Sequence, residues 1–199
     1  EHCPYDYLFS TSGSITGWAS WKRVIDEWTE HIGFVDNEYT VKQFKNVYKN
    51  RLDTDKYIEH CKRCNNSGIA YYEAILSGNA LPQGRLNIVP TKNLISNIGN
   101  VGESTHGVAS IDLLPKGLRR IFNMKTYEYE FPLNHPPYVI EDFDFLNKIH
   151  RIMAKGHPFV SIYRLFESVF YRMRSGDFSM LKKLFKRKII PNILMSEMI

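Results

Sequence analysis

The chain has 199 residues, 43% of them apolar, with 26 Lys and Arg against 21 Asp and Glu for a net charge of +5. Twelve Phe, twelve Tyr and three Trp complete the composition of a folded protein with one proper core, or one and a half small ones, and exclude a disordered chain. Three cysteines are odd in number and too few for a disulfide scaffold, which predicts reduced thiols in a cytoplasmic setting. No stretch approaches the roughly 20 apolar residues of a membrane span, and Glu1 to Phe9 lacks the basic start and apolar middle of a signal peptide.

In chain order, His2 to Thr16 reads as irregular, with Pro4, Gly13 and several hydroxyls. Gly17 then opens a predicted helix in which Trp18, Trp21, Val24, Ile25, Trp28 and Ile32 recur at steps of three and four, giving one apolar stripe. Core packing accounts for such a stripe, although Trp18 at its start is placed to reach a ligand. A second helix is predicted over Tyr39–Arg51 with Val41, Phe44, Val47 and Tyr48 inward, and a third is capped by Thr54 or Asp55 and aligns Tyr57, Ile58, Cys61 and Cys64. After a loop at Asn65–Gly68, Ile69–Ser77 reads as a short helix burying Ile69, Tyr72, Ile75 and Leu76, with Glu73 one step from that face. Gly78, Pro82 and Gly84 break the chain before two short strands, Leu86–Pro90 and Leu94–Ile98, joined by a turn at Thr91 and Lys92.

Beyond them, Asn97 to His106 form a polar loop. It carries Gly99, Gly102 and Glu103, and such loops hung from buried strands are where binding residues concentrate. Ile111–Met124 carries no clear period. Tyr127–Phe131 alternates as an edge strand would, and Pro132, Pro136 and Pro137 end it. The remainder reads as helical: one face of Phe143, Leu146, Ile149, Ile152 and Met153, then Val160, Leu165, Phe166, Val169, Phe170 and Met173 on the next helix, then Ser179–Lys188. That last segment is basic and amphipathic, suited either to docking on the preceding helices or to a membrane interface.

Charge is unevenly spread. From Phe145 onward eleven Lys or Arg stand against three acids, a net of +8, which leaves the first 144 residues at −3. No GxGxxG, Walker loop, HExxH or GxSxG is present, which removes several enzyme classes. Cys61 and Cys64, preceded by His60, form a lone CxxC without a second pair to complete four ligands, so they read as two buried thiols one helical turn apart. Asp53-Thr-Asp55 and Asp142-Phe-Asp144 have the DxD form that can share a divalent ion with a diphosphate, but their positions suit helix starts.

Three ordered stretches carry a resemblance. Ile88-Val89-Pro90 followed by NLISNIGNVGESTH at 93–106 is similar to the pattern P-x-x-N-L-V/I-x-N-I-G, a glycine turn and T-H, found near the C-terminal end of bacterial sugar-nucleotide-dependent glycosyltransferases of the GT-A type, some of them described as hemolysin-like. Gly17-Trp18-Ala19-Ser20-Trp21-Lys22-Arg23 resembles that family's G-W-A/G-S/T-W-R/K-R, and Phe131-Pro132-Leu133-Asn134-His135-Pro136 resembles its closing L-x-H-P. Together they span about 120 residues.

The resemblance implies an α/β fold: the helix-rich C-terminal part of a GT-A-like domain with a few short strands. It implies acceptor-side residues at 1–140 and a basic helical extension at 141–199. The implied reaction moves a sugar from a nucleotide-diphosphate donor to a saccharide or lipid-linked acceptor, as in surface polysaccharide synthesis. It implies a donor-binding βαβ half with a metal-binding DxD upstream of the Trp-rich segment, so the chain, which lacks an initiator Met, is expected to be part of a longer product. Counting back about seventeen residues from Pro90 lands on Tyr72-Glu73, where the family has W-D-Y, and this assigns Glu73 as the base that takes the acceptor's proton. His106 matches the T-H histidine and becomes the implied ligand of a Mn or Mg ion or of the diphosphate. Trp18, Lys92, Asn97, Gly99 and Glu103 are the implied substrate contacts. Lys92, Arg119 and Arg120 are charged to meet phosphate. A different class stays open: a non-catalytic helical module whose basic segment at 179–188 contacts anionic membrane peripherally, or a partner protein. Nucleic acid is the poorer partner, since the basic residues are not interleaved with aromatics in any recognised module.

Overall fold

The computed structural model describes residues 3–14, 17–49, 53–96, 111–119, 124–155 and 157–181. The chain divides into two compact units, Glu1–Thr91 with Tyr129–Leu146, and Lys92–Glu128 with Asn147–Ile199. It is mostly helical, and its described strands make one small antiparallel sheet.

In the first unit β1 (Tyr7–Ser10) pairs with β2 (Asn87–Pro90), Tyr7 opposite Pro90 and Ser10 opposite Asn87. The far edge of β1 is covered by a parallel bridge between Phe9 and Glu141, where the Asp142 amide donates to the Phe9 carbonyl at 2.8 Å. The strand β2 falls where the apolar run predicts it. Its partner lies inside the segment read as irregular, because Tyr-Leu-Phe-Ser is too short to show a period and its pairing is with residues some eighty positions away. The other two predicted strands do not form among the described residues. Leu94 and Ile95 are exposed and irregular, with 97 and 98 outside the described residues. Tyr127–Phe131 runs without strand pairing; its alternation serves separate contacts, Tyr127 donating its amide to the Asn93 carbonyl at 2.9 Å in the second unit and Tyr129 its hydroxyl to the Asp6 carbonyl in the first.

The predicted helix over 17–32 shrinks to the single turn α1 (Lys22–Ile25). Trp21 at its start offers no capping oxygen, and Lys22 and Arg23 put positive charge on the positive end of the dipole. Its stripe is buried only at its end: Ile32 joins the core, Val24 and Trp28 are half-buried, and Trp18 is 39% and Trp21 54% exposed. The next two helices form because their starts are capped. Asn37 accepts the Thr40 amide at 2.8 Å to open α2 (Glu38–Tyr48), and Asp53, one residue before the predicted cap, accepts the Lys56 amide to open α3 (Thr54–Ser67). Gly68 in the left-handed conformation, φ +65°, closes α3. The fourth helix, α4 (Tyr72–Ala80), starts three residues later than predicted, because the Ser67 hydroxyl accepts the Ile69 amide at 3.1 Å and keeps that residue in the turn. Ile69 and Tyr72 are therefore exposed, and Ala74, Ile75 and Gly78 form the buried face.

These helices and a 3-10 turn at Gly33–Asp36 enclose a core around Ile32, Phe44, Tyr48, Ile58 and Cys61, with Val41 and Tyr57 packed on it. Val47, expected inward, is exposed. Phe44 lies between Tyr48 and Tyr57 at 4.6 and 5.7 Å between ring centroids, and the Tyr48 hydroxyl donates to the Leu81 carbonyl at 2.6 Å. Cys61 and Cys64 are buried free thiols, as the lone CxxC suggests, and burial pushes the Cys61 thiol up to about 11.

The second unit holds a 3-10 turn at Ile111–Leu113, α5 (Lys116–Arg119), most of α6 (Phe143–Ile152) and α7 (Pro158–Arg174). Asp142 caps α6 by accepting the Phe145 amide at 2.8 Å, and Pro158 preorganises the first turn of α7. Phe166, Phe170 and Met173 on α7 point to solvent instead of inward as their spacing predicts. Of the last predicted helix, residues 179–181 are helical and 182–188 lie outside the described residues. No helix among the described residues is long and apolar enough to cross a membrane.

Candidate active site

Glu73 stands in the first turn of α4, on the side away from Ala74, Ile75 and Gly78. With that side turned outward, Tyr71, Tyr72 and Glu73 are all exposed, Tyr72 at 65%. Tyr71 caps the helix without a side-chain hydrogen bond, so the acid at 73 is what answers the positive dipole end. Among the described residues the Glu73 carboxylate is held in no ion pair. An exposed, unengaged carboxylate beside two exposed phenol rings has the elements needed to stack a sugar and take a hydroxyl proton.

Glu73 acts electrostatically on His60 of α3. Burial lowers the pKa of this imidazole below the usual 6.5, the Arg63 charge lowers it further, and Glu73 works in the opposite direction. One helical turn on, the Cys64 sulfur lies 3.7 Å from Nε2 of the same ring. Spacing alone exposes the His60–Cys64 pair, four residues apart on a helix; the approach of Glu73 from another helix has no local signature. Because the unfolded chain protonates His60 near 6.5 and the folded protein resists it, the contribution of this group to stability is flat above that pH and falls as pH drops below it. Urea midpoints taken at about pH 7 and about pH 5 should show that fall, and His60→Gln should flatten it. Glu73→Gln should shift the imidazole's NMR titration to still lower pH.

Trp18 stacks on Trp28, with ring centroids 5.5 Å apart and planes 26° from parallel. Trp28 leads into Thr29, which accepts Asn79 Nδ2 at its carbonyl at 3.1 Å. The tryptophan pair is thereby tied to the C-terminal end of α4, and Asn79 is six residues, about 9 Å along the axis, from Glu73. One short helix serves both predicted contacts from opposite ends, and no direct contact joins them among the described residues. Glu27 pairs with Arg85 beside the same loop.

Lys92 is exposed at the turn after β2. Asn97, Gly99, Glu103 and His106 lie outside the described residues, as does Arg120. Arg119 is engaged internally: its Nε donates to the Leu114 carbonyl at 2.6 Å and its guanidinium lies 4.3 Å from the Tyr171 ring centroid. The closing Leu133-Asn134-His135-Pro136 motif anchors the chain to β1, the Asn134 amide donating to Asp6 Oδ2 at 2.7 Å and the Tyr7 hydroxyl sharing a 3.1 Å hydrogen bond with His135 Nδ1.

Three of the four acids in the two DxD stretches are engaged elsewhere. Asp53 caps α3 and pairs with Lys56 at 2.8 Å, which holds its carboxyl below the usual range; Asp55 pairs with Lys45 at 2.5 Å; Asp142 is the α6 cap. Among the described residues no three His, Cys, Asp or Glu side chains converge to hold an ion. No family model, curated protein or solved structure matches the chain.

Proposed function

We propose that this chain forms the acceptor-side part of a GT-A-like glycosyltransferase, moving a sugar from a nucleotide-diphosphate donor to a saccharide or lipid-linked hydroxyl, with Glu73 as the catalytic base. The reading rests first on the three motif resemblances. The structural observation that supports it is the Glu73 carboxylate, exposed beside Tyr71 and Tyr72 and free of any ion pair among the described residues.

In this reading the acceptor hydroxyl hydrogen-bonds to Glu73. The carboxylate takes its proton as the oxygen attacks the anomeric carbon, and the bond from that carbon to the diphosphate breaks with the electron pair leaving on the diphosphate. Tyr71 and Tyr72 offer rings to the sugar faces of the acceptor, and the stacked Trp18 and Trp28 offer a second apolar platform further along α4. His106 is the residue that the resemblance implies as ligand of a divalent metal or of the diphosphate.

The test is to incubate the full-length gene product with single nucleotide sugars, without acceptor, and to follow release of nucleoside diphosphate. Slow hydrolysis of one nucleotide sugar above the others supports a transferase, and hydrolysis of none overturns it. Once an acceptor is found, Trp18→Ala should raise its KM by about tenfold with little change in kcat, the effect of a lost stacking contact. An unaltered KM removes Trp18 from the acceptor path.

A further inference from the structure

The helix α7 is amphipathic, but its apolar side faces out. The residues of Pro158–Arg174 most open to solvent include Phe159, Ile162, Tyr163, Phe166, Phe170 and Met173, with Phe159 at 85% and Phe166 at 69%. Steps of three and four along the chain put these six on one stripe about 100° wide, and the stripe carries no charge. The partly covered side holds the polar groups instead. There the Tyr171 hydroxyl donates to Glu167 at 3.3 Å, Arg119 lies against the Tyr171 ring, Arg172 pairs with Asp177 at 3.4 Å, and Arg164 packs beside Gly117. The polar side is therefore committed within its own unit.

We propose that this outward face of α7 rests on an anionic lipid bilayer, with the helix lying in the plane of the membrane surface. Three open phenylalanines and a tyrosine present roughly 500–700 Å² of ring surface, at the upper end of the largest apolar patch a free-standing protein leaves to water, a size at which such patches are often functional. Charge selects the occupant. Residues 145–181, the described part of this stretch, hold six Lys or Arg against two acids, a net of +4, so a second copy laid against the same face would set +4 against +4, whereas an anionic leaflet is attracted to each Lys and Arg near it. The helix is about 25 Å long and no helix among the described residues suits a membrane crossing, which leaves lying on the surface. Tyr163 can sink its ring and keep its hydroxyl among the headgroups.

The proposal does not depend on the transferase reading, since lipid binding without any sugar transfer would leave it intact. It is tested by co-sedimenting the protein with vesicles of phosphatidylcholine alone and of phosphatidylcholine mixed with phosphatidylserine. The wild type should partition onto the anionic vesicles at least about tenfold more than onto neutral ones, less so at high salt. The double variant Phe166→Ser/Phe170→Ser should lose at least about tenfold of that binding, because it removes two aromatic anchors. Both side chains are exposed, and far-UV circular dichroism checks the fold; Phe159→Ser is the second variant, expected to weaken binding in the same direction. No binding by the wild type, or full binding by variants that keep the fold, overturns the proposal. So does a wild-type dimer in sedimentation equilibrium that the double substitution dissolves, which would make the occupant a second copy.

Discussion

Glu73→Gln is expected to lower the rate of sugar transfer by about 10²–10⁴-fold, the usual worth of a positioned general base, with donor binding intact. The amide keeps the size and hydrogen-bonding reach of the carboxylate but cannot take a proton, so the loss should fall on kcat and leave acceptor KM nearly alone. Folding should suffer little. The side chain is exposed and in no ion pair among the described residues, so the cost is its share of the α4 dipole interaction, about 0.3–1 kcal/mol. Glu73→Asp makes the companion test, since the resembling family carries Asp at this place and the change withdraws one methylene while keeping the acid. It should retain far more activity than the Gln variant. Initial rates with donor and acceptor both varied decide the matter, and turnover of the Gln variant within about twofold of wild type removes Glu73 from the site.

What could be read from residue order follows how local each determinant is. Helices α2 and α3 were legible from apolar spacing that sits within the structure it creates; their ends were read less well, since Asn37 caps α2 where no cap was read, Asp53 caps α3 one residue early, and α3 runs to Ser67 through residues read as a loop. Strand β1 was not, since Tyr7–Ser10 acquires its meaning from Asn87–Pro90 and from Glu141. The Trp-bearing stripe misled because periodicity records amphipathicity but not whether a partner exists: Trp18 and Trp28 stack on each other, and the chain leaves the helix to bond Asn79. The same limit applies to α7, where the spacing of Phe166, Phe170 and Met173 marks one face and burial selects the other. For the candidate site, counting residues put Glu73 on a short helix one step from a buried face that included Ile69 and Tyr72; the helix instead buries Ala74, Ile75 and Gly78, and Glu73 stands on the side away from them. Its proximity to His60 needed the packing of α3 near α4. The loop from Asn97 to His106 lies outside the described residues, so its readings rest on resemblance alone.

Ile32→Ala is expected to destabilise the first unit by about 2–5 kcal/mol, and its partner Gly78 shows why this contact holds α4 in place. Ile32 is 1% exposed, and Asn65 grips it from both sides, accepting its amide at 2.9 Å and donating to its carbonyl at 3.3 Å. A Cβ added at Gly78 would meet Ile32 Cγ2 at 2.6 Å, with two further Ile32 carbons at 3.2 and 3.3 Å. Two effects then compete in Gly78→Ala. Alanine favours the helix by about 0.8–1.0 kcal/mol, while overpacking against a side chain that cannot step back costs about 1–3 kcal/mol. Because Asn65 fixes the Ile32 backbone, the clash should win and Gly78→Ala should destabilise. The double variant Ile32→Ala/Gly78→Ala distinguishes this contact from a general dislike of change in α4. With Ile32 trimmed, the new methyl enters the space it vacated, so the double loss should fall short of the summed single losses by about 1 kcal/mol or more. Urea titrations of the four proteins at constant m measure the cycle. A stabilised Gly78→Ala protein, or strict additivity, would mean that Ile32 yields to the methyl group and that α4 is not locked through this contact.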